Sequence, residues 1–122
     1  MLETEAEALI QSKAEIHRGN CAYYLTIESA LDVLEIFIAD GEIGVLGIDC
    51  FYITPGRILA LLDMTLDLSQ DYPRKSKDYR DLSKTEWFKL LNHSAQEYLR
   101  FLKDDDDLSK KAFYVEIIFT DT

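Results

Sequence analysis

Ile43-Gly44-Val45-Leu46-Gly47-Ile48-Asp49-Cys50-Phe51-Tyr52-Ile53, then Thr54-Pro55-Gly56-Arg57, then Ile58-Leu59-Ala60-Leu61-Leu62-Asp63-Met64-Thr65-Leu66-Asp67-Leu68, is the stretch that decides the architecture of this chain. The first run is apolar at odd and even positions alike, which predicts a strand in the middle of its sheet. Pro55 and Gly56 hold the second and third positions of the link, as a type II turn prefers. The second run ends in strict period-two alternation over 62–68, so a strand is expected across 58–68; a helix competes only over 58–62. If Thr54 faces Arg57, then Phe51, Ile53, Ile58, Ala60, Leu62, Met64 and Leu66 share a face with Asp49, and that face is expected to be the core. Ile48, Cys50, Tyr52, Leu59, Leu61, Asp63, Thr65 and Asp67 fall on the other, a mixed apolar and acidic surface suited to recognition where no helix covers it.

Working outward, Thr26 reads as the N-cap of a helix that ends at Asp40-Gly41, with Ile27, Ala30, Leu31, Leu34 and Ile38 as its buried stripe, Val33, Ile36 and Phe37 widening the apolar face, and Glu28, Asp32 and Glu35 as an acidic outer ridge. An earlier helix over 2–17 has a thin stripe of Leu2, Ala6, Leu9, Lys13 and Ile16, so this N-terminal element, within 1–20, is expected to dock loosely. Residues 71–82 read as a polar loop. Ser83-Lys84-Thr85-Glu86 is a capping box, opening a helix that turns Trp87, Leu90, Leu91, Ser94, Tyr98, Phe101 and Leu102 inward. Asn92, His93 and Gln96 fall on its polar side. In the last strand Phe113, Val115, Ile117 and Phe119 point to one face. The order implies an α+β fold: a small antiparallel sheet of about three strands, with 43–53 central and helices packed on one face.

At 122 residues and 48% hydrophobic, the chain suits one domain, 1–122, with one core. No apolar stretch reaches the ~18 residues of a membrane span, and the acidic start, Met1-Leu2-Glu3-Thr4-Glu5, lacks the basic flank of a secretory signal. A cytoplasmic location, with Cys21 and Cys50 reduced, is the expectation. Of the 23 acids, 13 precede Tyr72, against three of the 13 bases, so residues 1–71 carry the whole formal charge of −10. A one-sided field of this kind attracts a basic partner and repels nucleic acid.

No catalytic constellation is present. His17 and His93 lie far apart, and no nucleophile triad, Walker loop or Cys-x-x-Cys pair appears. His17 and Cys21 are four apart, a helical metal-ligand spacing, but Gly19-Asn20 between them reads as a helix stop, so no metal is expected. Asp104–Asp107 lacks the alternating oxygens of a calcium loop and reads as solvated chain. Arg74, Lys75, Lys77, Arg80 and Lys84 are interleaved with Asp71, Asp78 and Asp81, which argues for loop solubility over nucleic-acid contact. Asp49 is the odd residue. A carboxylate on a core face costs several kcal/mol unless it is paired or at a rim. Arg57, Arg100 or a backbone donor could satisfy it, or it could mark the edge of a binding surface.

Residues 26–53, a helix, Gly41, then Val45-Leu46-Gly47-Ile48-Asp49-Cys50-Phe51-Tyr52, together with Ser94-Ala95-Gln96-Glu97-Tyr98 in the late helix, resemble the immunity protein 40 family of polymorphic toxin systems. The chain departs from the pattern at Ile48, where a second glycine is expected, and in 63–67, which lack an Asn-Trp. The resemblance implies a bacterial protein, not an enzyme and without a cofactor, that neutralises a cognate toxin by binding it; many such toxins act on nucleic acid through basic clefts. The expected contact set is Tyr52, Asp63, Asp67, Asp71 and Asp49 with the ridge Glu28, Asp32 and Glu35. The competing expectation is a small ligand-binding domain or enzyme with a pocket around Asp49.

Overall fold

In the computed structural model, which describes residues 1–18, 22–69, 83–109 and 112–121, the chain runs α1 (Glu3–Lys13), β1 (Ile16–Arg18), β2 (Ala22–Tyr24), α2 (Ile27–Asp40), β3 (Gly44–Thr54), β4 (Arg57–Ala60), a 3₁₀ turn (Leu62–Met64), β5 (Leu66–Asp67), α3 (Lys84–Lys103), α4 (Asp106–Ser109) and β6 (Phe113–Thr120). It is an α+β fold. β3 is central, with β6 antiparallel along one edge and β4 then β5 antiparallel along the other. Beyond β6, Leu25 exchanges backbone hydrogen bonds of 2.8 Å with Val115, which ties the β1–β2 hairpin to the sheet.

The local signals that set these elements are visible in the bonds. Thr26 Oγ1 accepts the Ser29 amide at 3.2 Å, and Gly41, at φ 80°, closes α2 in the left-handed region. Ser83 Oγ accepts the Glu86 amide at 3.2 Å at the start of α3. Gly56, at φ 82°, gives the β3–β4 turn its type II geometry. The register Phe51↔Ala60, Tyr52↔Leu59, Ile53↔Ile58 and Thr54↔Arg57 is the one expected from the sequence.

The expected strand over 58–68 is broken, however. After the Leu61 amide bonds to the Cys50 carbonyl, the chain makes its 3₁₀ turn, and β5 resumes three residues out of register, with Leu66 opposite Ile48. The Met64 carbonyl leaves the ladder and accepts instead from the Tyr98 hydroxyl and, at 3.4 Å, the Cys50 thiol. β5 can lie this close only because residue 47 is glycine: a Cβ there would meet the Leu66 carbonyl oxygen at 2.7 Å.

α2 and α3 cover one face of β3 and β6. Ala30, Val33, Leu34 and Phe37 of α2 meet Phe88, Leu91, Ala95 and Leu99 of α3 over Val45, Ile48, Cys50, Val115 and Ile117. Phe113, Val115, Ile117 and Phe119 share this face, as their alternation requires. The cross-strand partners Ile48↔Ile117 and Cys50↔Val115 therefore put Ile48, Cys50 and Tyr52 inward, while a register shift between Val45 and Gly47 lets Val45 face the same core. This corrects the expected core: Asp49, Phe51, Ile53, Ile58 and Ala60 do share a face, but it is the face the helices leave open. β3 alone could not decide the matter, being apolar on both sides.

Further corrections follow from helix ends and rotation. α1 ends at Lys13 rather than 17, because the Glu15 amide turns to the Tyr24 carbonyl at 3.2 Å and Ile16 enters a hairpin with Tyr24; α1 buries only Ala6 and Ile10. The helical His17/Cys21 spacing is thereby lost, and Cys21 lies outside the described residues, as does the expected 71–82 loop. On α2, Ala30 and Leu34 of the expected stripe and Val33 and Phe37 of the widened face are buried, but Ile27, Leu31 and Ile38 are only partly covered and Ile36 is exposed. On α3, Phe88, Leu99, Asn92 and Gln96 are buried, whereas Phe101 is 72% exposed. Asn92 is inward for a reason: its Oδ1 accepts the Val45 amide at 2.9 Å and its Nδ2 donates to the Ile43 carbonyl at 2.8 Å, fastening α3 to the entrance of β3. Asp104–Asp107 are exposed, but a helical turn starts among them, with the Asp107 amide on Asp105 Oδ1 at 2.9 Å.

The open sheet face as candidate binding site

Alternation along β3 and β6 fixes what the open face displays. Asp49 stands directly opposite Glu116, Phe51 opposite Tyr114 on one side and Ala60 on the other, and Ile53 opposite Ile58. Asp49, Phe51, Tyr114 and Glu116 are all half-buried. From the hairpin edge Tyr24 reaches in and meets Phe51 edge-on, the ring centroids 5.0 Å apart and the planes at 73°. Among the described residues no helix packs over this face, and neither Asp49 nor Glu116 has an ion pair or side-chain hydrogen bond. Arg57 and Arg100, the partners expected for Asp49, do not reach it.

Two carboxylates side by side on neighbouring strands repel, and their half-burial limits hydration. Burial, and secondarily Asp49, push the Glu116 carboxyl above its ordinary value. Behind the same pair, on the helix side, burial drives the Cys50 thiol up to about 12, with Asp49 adding to the effect and Tyr98 opposing it. Tyr98 is raised as well, by burial first and by Cys50 second. Cys50 and Tyr98 therefore stay protonated near neutrality, and their geometry supplies packing and a hydrogen bond to Met64 rather than a nucleophile.

The sequence-derived contact set is divided between surfaces. Asp49 is on the open face. Tyr52 points to the helix side, half-buried, its ring 6.0 Å from that of Phe113. Asp63 is exposed on the 3₁₀ turn at the sheet edge. Asp67, paired with Gly47, is exposed on the same face as Asp49, but its Oδ1 accepts the Ser69 amide at 2.9 Å and the Ser69 hydroxyl at 2.6 Å; these two bonds lower its pKa and commit the carboxylate to a local turn. Glu28, Asp32 and Glu35 form the ridge on α2, bordering a groove of about 490 Å³ whose far wall is Gln96, Arg100 and Lys103 of α3. A neighbouring groove of about 450 Å³ at the start of α2 shares Glu28, Asp32 and Lys103 with it. Asp49 lines neither groove. Asp71 lies outside the described residues.

Glu116, Phe51, Tyr114 and Tyr24 are the members that sequence reasoning left out of the site. Pairing the alternating 113–119 run with β3 would have found three of them: the apolar Phe113, Val115, Ile117 and Phe119 claim the core, so Tyr114 and Glu116 must face away. Among the described residues no group of His, Cys, Asp and Glu has the arrangement to hold a metal ion, and no helix is long and apolar enough to cross a membrane. Comparison with protein-family models, curated proteins and solved structures finds no match.

Proposed function

We propose that this chain is an immunity-type binding protein that neutralises a cognate bacterial toxin by covering a cationic surface on it, with the open sheet face as the docking surface. The observation that carries the reading is the Asp49–Glu116 pair: two half-buried carboxylates without an ion pair among the described residues, flanked along the strands by Phe51 and Tyr114, in a chain of net charge −10. Such a pair is unfavourable in the free protein and becomes favourable when a cation arrives, which is the electrostatic profile of a docking surface. Phe51 and Tyr114, half-exposed, supply the aromatic area that anchors protein interfaces, and Tyr24, itself buried, braces Phe51. The acidic ridge on α2 shares its groove with Arg100 and Lys103, and its proposed contribution is long-range steering. Asp49 lines neither of these two grooves, so they lend no support to the competing pocket around it.

The test is to look for a toxin-like reading frame adjacent to the gene and to co-express its product with this chain. Restored growth and a salt-sensitive complex by calorimetry are the expected results. Undiminished killing, with no complex at low ionic strength, would overturn the reading.

A further inference from the structure

We propose that the open face accepts a single arginine side chain of the partner, its guanidinium lying between Asp49 and Glu116 and stacked on the rings of Phe51 and Tyr114. The inference rests on the docking role proposed above and specifies the group recognised. Directly opposed residues on neighbouring strands hold their Cβ atoms about 5 Å apart. The two carboxylates therefore present up to four oxygens within the span of one planar fork of N–H donors. A lysine ammonium is a compact point charge, strongly hydrated, and would satisfy one carboxylate while leaving the other partly dehydrated. The aromatic neighbours sharpen the choice. Phe51 and Tyr114 face each other across the same two strands, one pleat from the carboxylates, and Tyr24 braces Phe51 edge-on. Aromatic side chains beside paired carboxylates suit a cation that is itself flat and weakly hydrated. Burial completes the case: a half-covered carboxylate pair has already lost part of its hydration, so less remains to be stripped when the guanidinium seats.

The test is an NMR titration of the full chain with N-acetyl-arginine amide, against the lysine and citrulline counterparts. Arginine should move the resonances of Asp49, Phe51, Tyr114 and Glu116 and lower the Glu116 titration midpoint. Lysine should bind several-fold more weakly, and neutral citrulline should leave the midpoint in place. Asp49→Asn and Glu116→Gln should each weaken arginine binding about tenfold, the value of one charge-assisted hydrogen bond; thermal melts establish that both variants fold. Equal responses to arginine and lysine, or shifts confined to the α2–α3 groove, would overturn the inference. So would a Asp49→Asn/Glu116→Gln double variant that still protects cells from the toxin, an outcome that leaves the immunity role standing. Arginine binding at this face without protection by the wild-type chain would support the inference and remove the role.

Discussion

Replacing Glu116 with glutamine is expected to stabilise the folded protein at neutral pH and to have almost no effect in acid. The sign follows from the direction of its pKa. The folded-state value lies above the ordinary 4.5, so protonation favours the folded chain. That contribution is fully present below 4.5 and is lost as pH rises through the elevated folded value. At pH 7 the wild type thus carries an anion it would fold better without, and glutamine keeps the shape while removing the charge. Like charges directly opposed across strands cost about 0.2–1 kcal/mol, and partial dehydration of Glu116 adds to this. Discounted for solvent screening of a half-exposed group, a gain of about 0.5–1 kcal/mol is reasonable. For a chain of this length that corresponds to roughly 2–5 °C in Tm. Asp49→Asn should relieve the same repulsion, and the double variant should gain less than the two singles together, because either change already abolishes the repulsion between them. Urea unfolding at pH 7 and pH 3.5 supplies the measurement. A Glu116→Gln variant that is less stable than wild type at pH 7 would refute the reasoning, since it would mean that the anion is satisfied in the folded chain; so would a gain of equal size at both pH values.

Other positions yield equally direct outcomes. Asn92→Leu keeps the volume but strands the Val45 amide and the Ile43 carbonyl, so chemical denaturation should show a loss of about 2–4 kcal/mol. Gly44→Ala would push a Cβ to 2.3 Å from the Phe88 ring; because that ring is fully buried, repacking should cost about 1–3 kcal/mol, seen as a lower midpoint with an unchanged slope. Cys50, buried and held as the neutral thiol by a pKa of about 12, should resist iodoacetamide at pH 8 in the folded protein and react on adding urea, as followed by peptide mass mapping. Tyr98→Phe removes a hydroxyl that bonds the Met64 carbonyl and should loosen the 3₁₀ turn, accelerating amide exchange at Thr65 and Leu66 with a stability loss of about 1 kcal/mol.

What was legible in the sequence was whatever short-range chemistry determines. Thr26 and Gly41 bracket α2, Ser83 opens α3, and Pro55-Gly56 sets both the turn and the register from Phe51↔Ala60 to Thr54↔Arg57. Each of these depends on a residue's own backbone preference or on a partner within four positions. What was not legible depended on partners far along the chain. The alternation in 62–68 looks like a strand, yet the Met64 carbonyl finds its donors in Tyr98 and Cys50, so a ladder gives way to a turn that local pattern cannot anticipate. Asn92 reads as polar surface until the amide and carbonyl at the entrance of β3 are known to need it.

The inverted sheet explains why the candidate site moved. A strand apolar on both sides contains no information about which side a helix will take; the decision passes to the neighbouring strand whose two faces differ most. Here that strand is β6, where Phe113, Val115, Ile117 and Phe119 oppose Tyr114, Glu116 and Ile118. Once Val115 draws Cys50 inward, Asp49 must face out, and the residue that looked like a buried charge in need of an internal partner becomes half of an exposed pair. The same step adds Glu116, whose negative charge belongs to the balanced second half of the chain, so the asymmetry of charge along the sequence does not by itself locate the surface. Location comes from the pleat: a position two residues away along either strand shares the face, and a position one residue away is lost to the core.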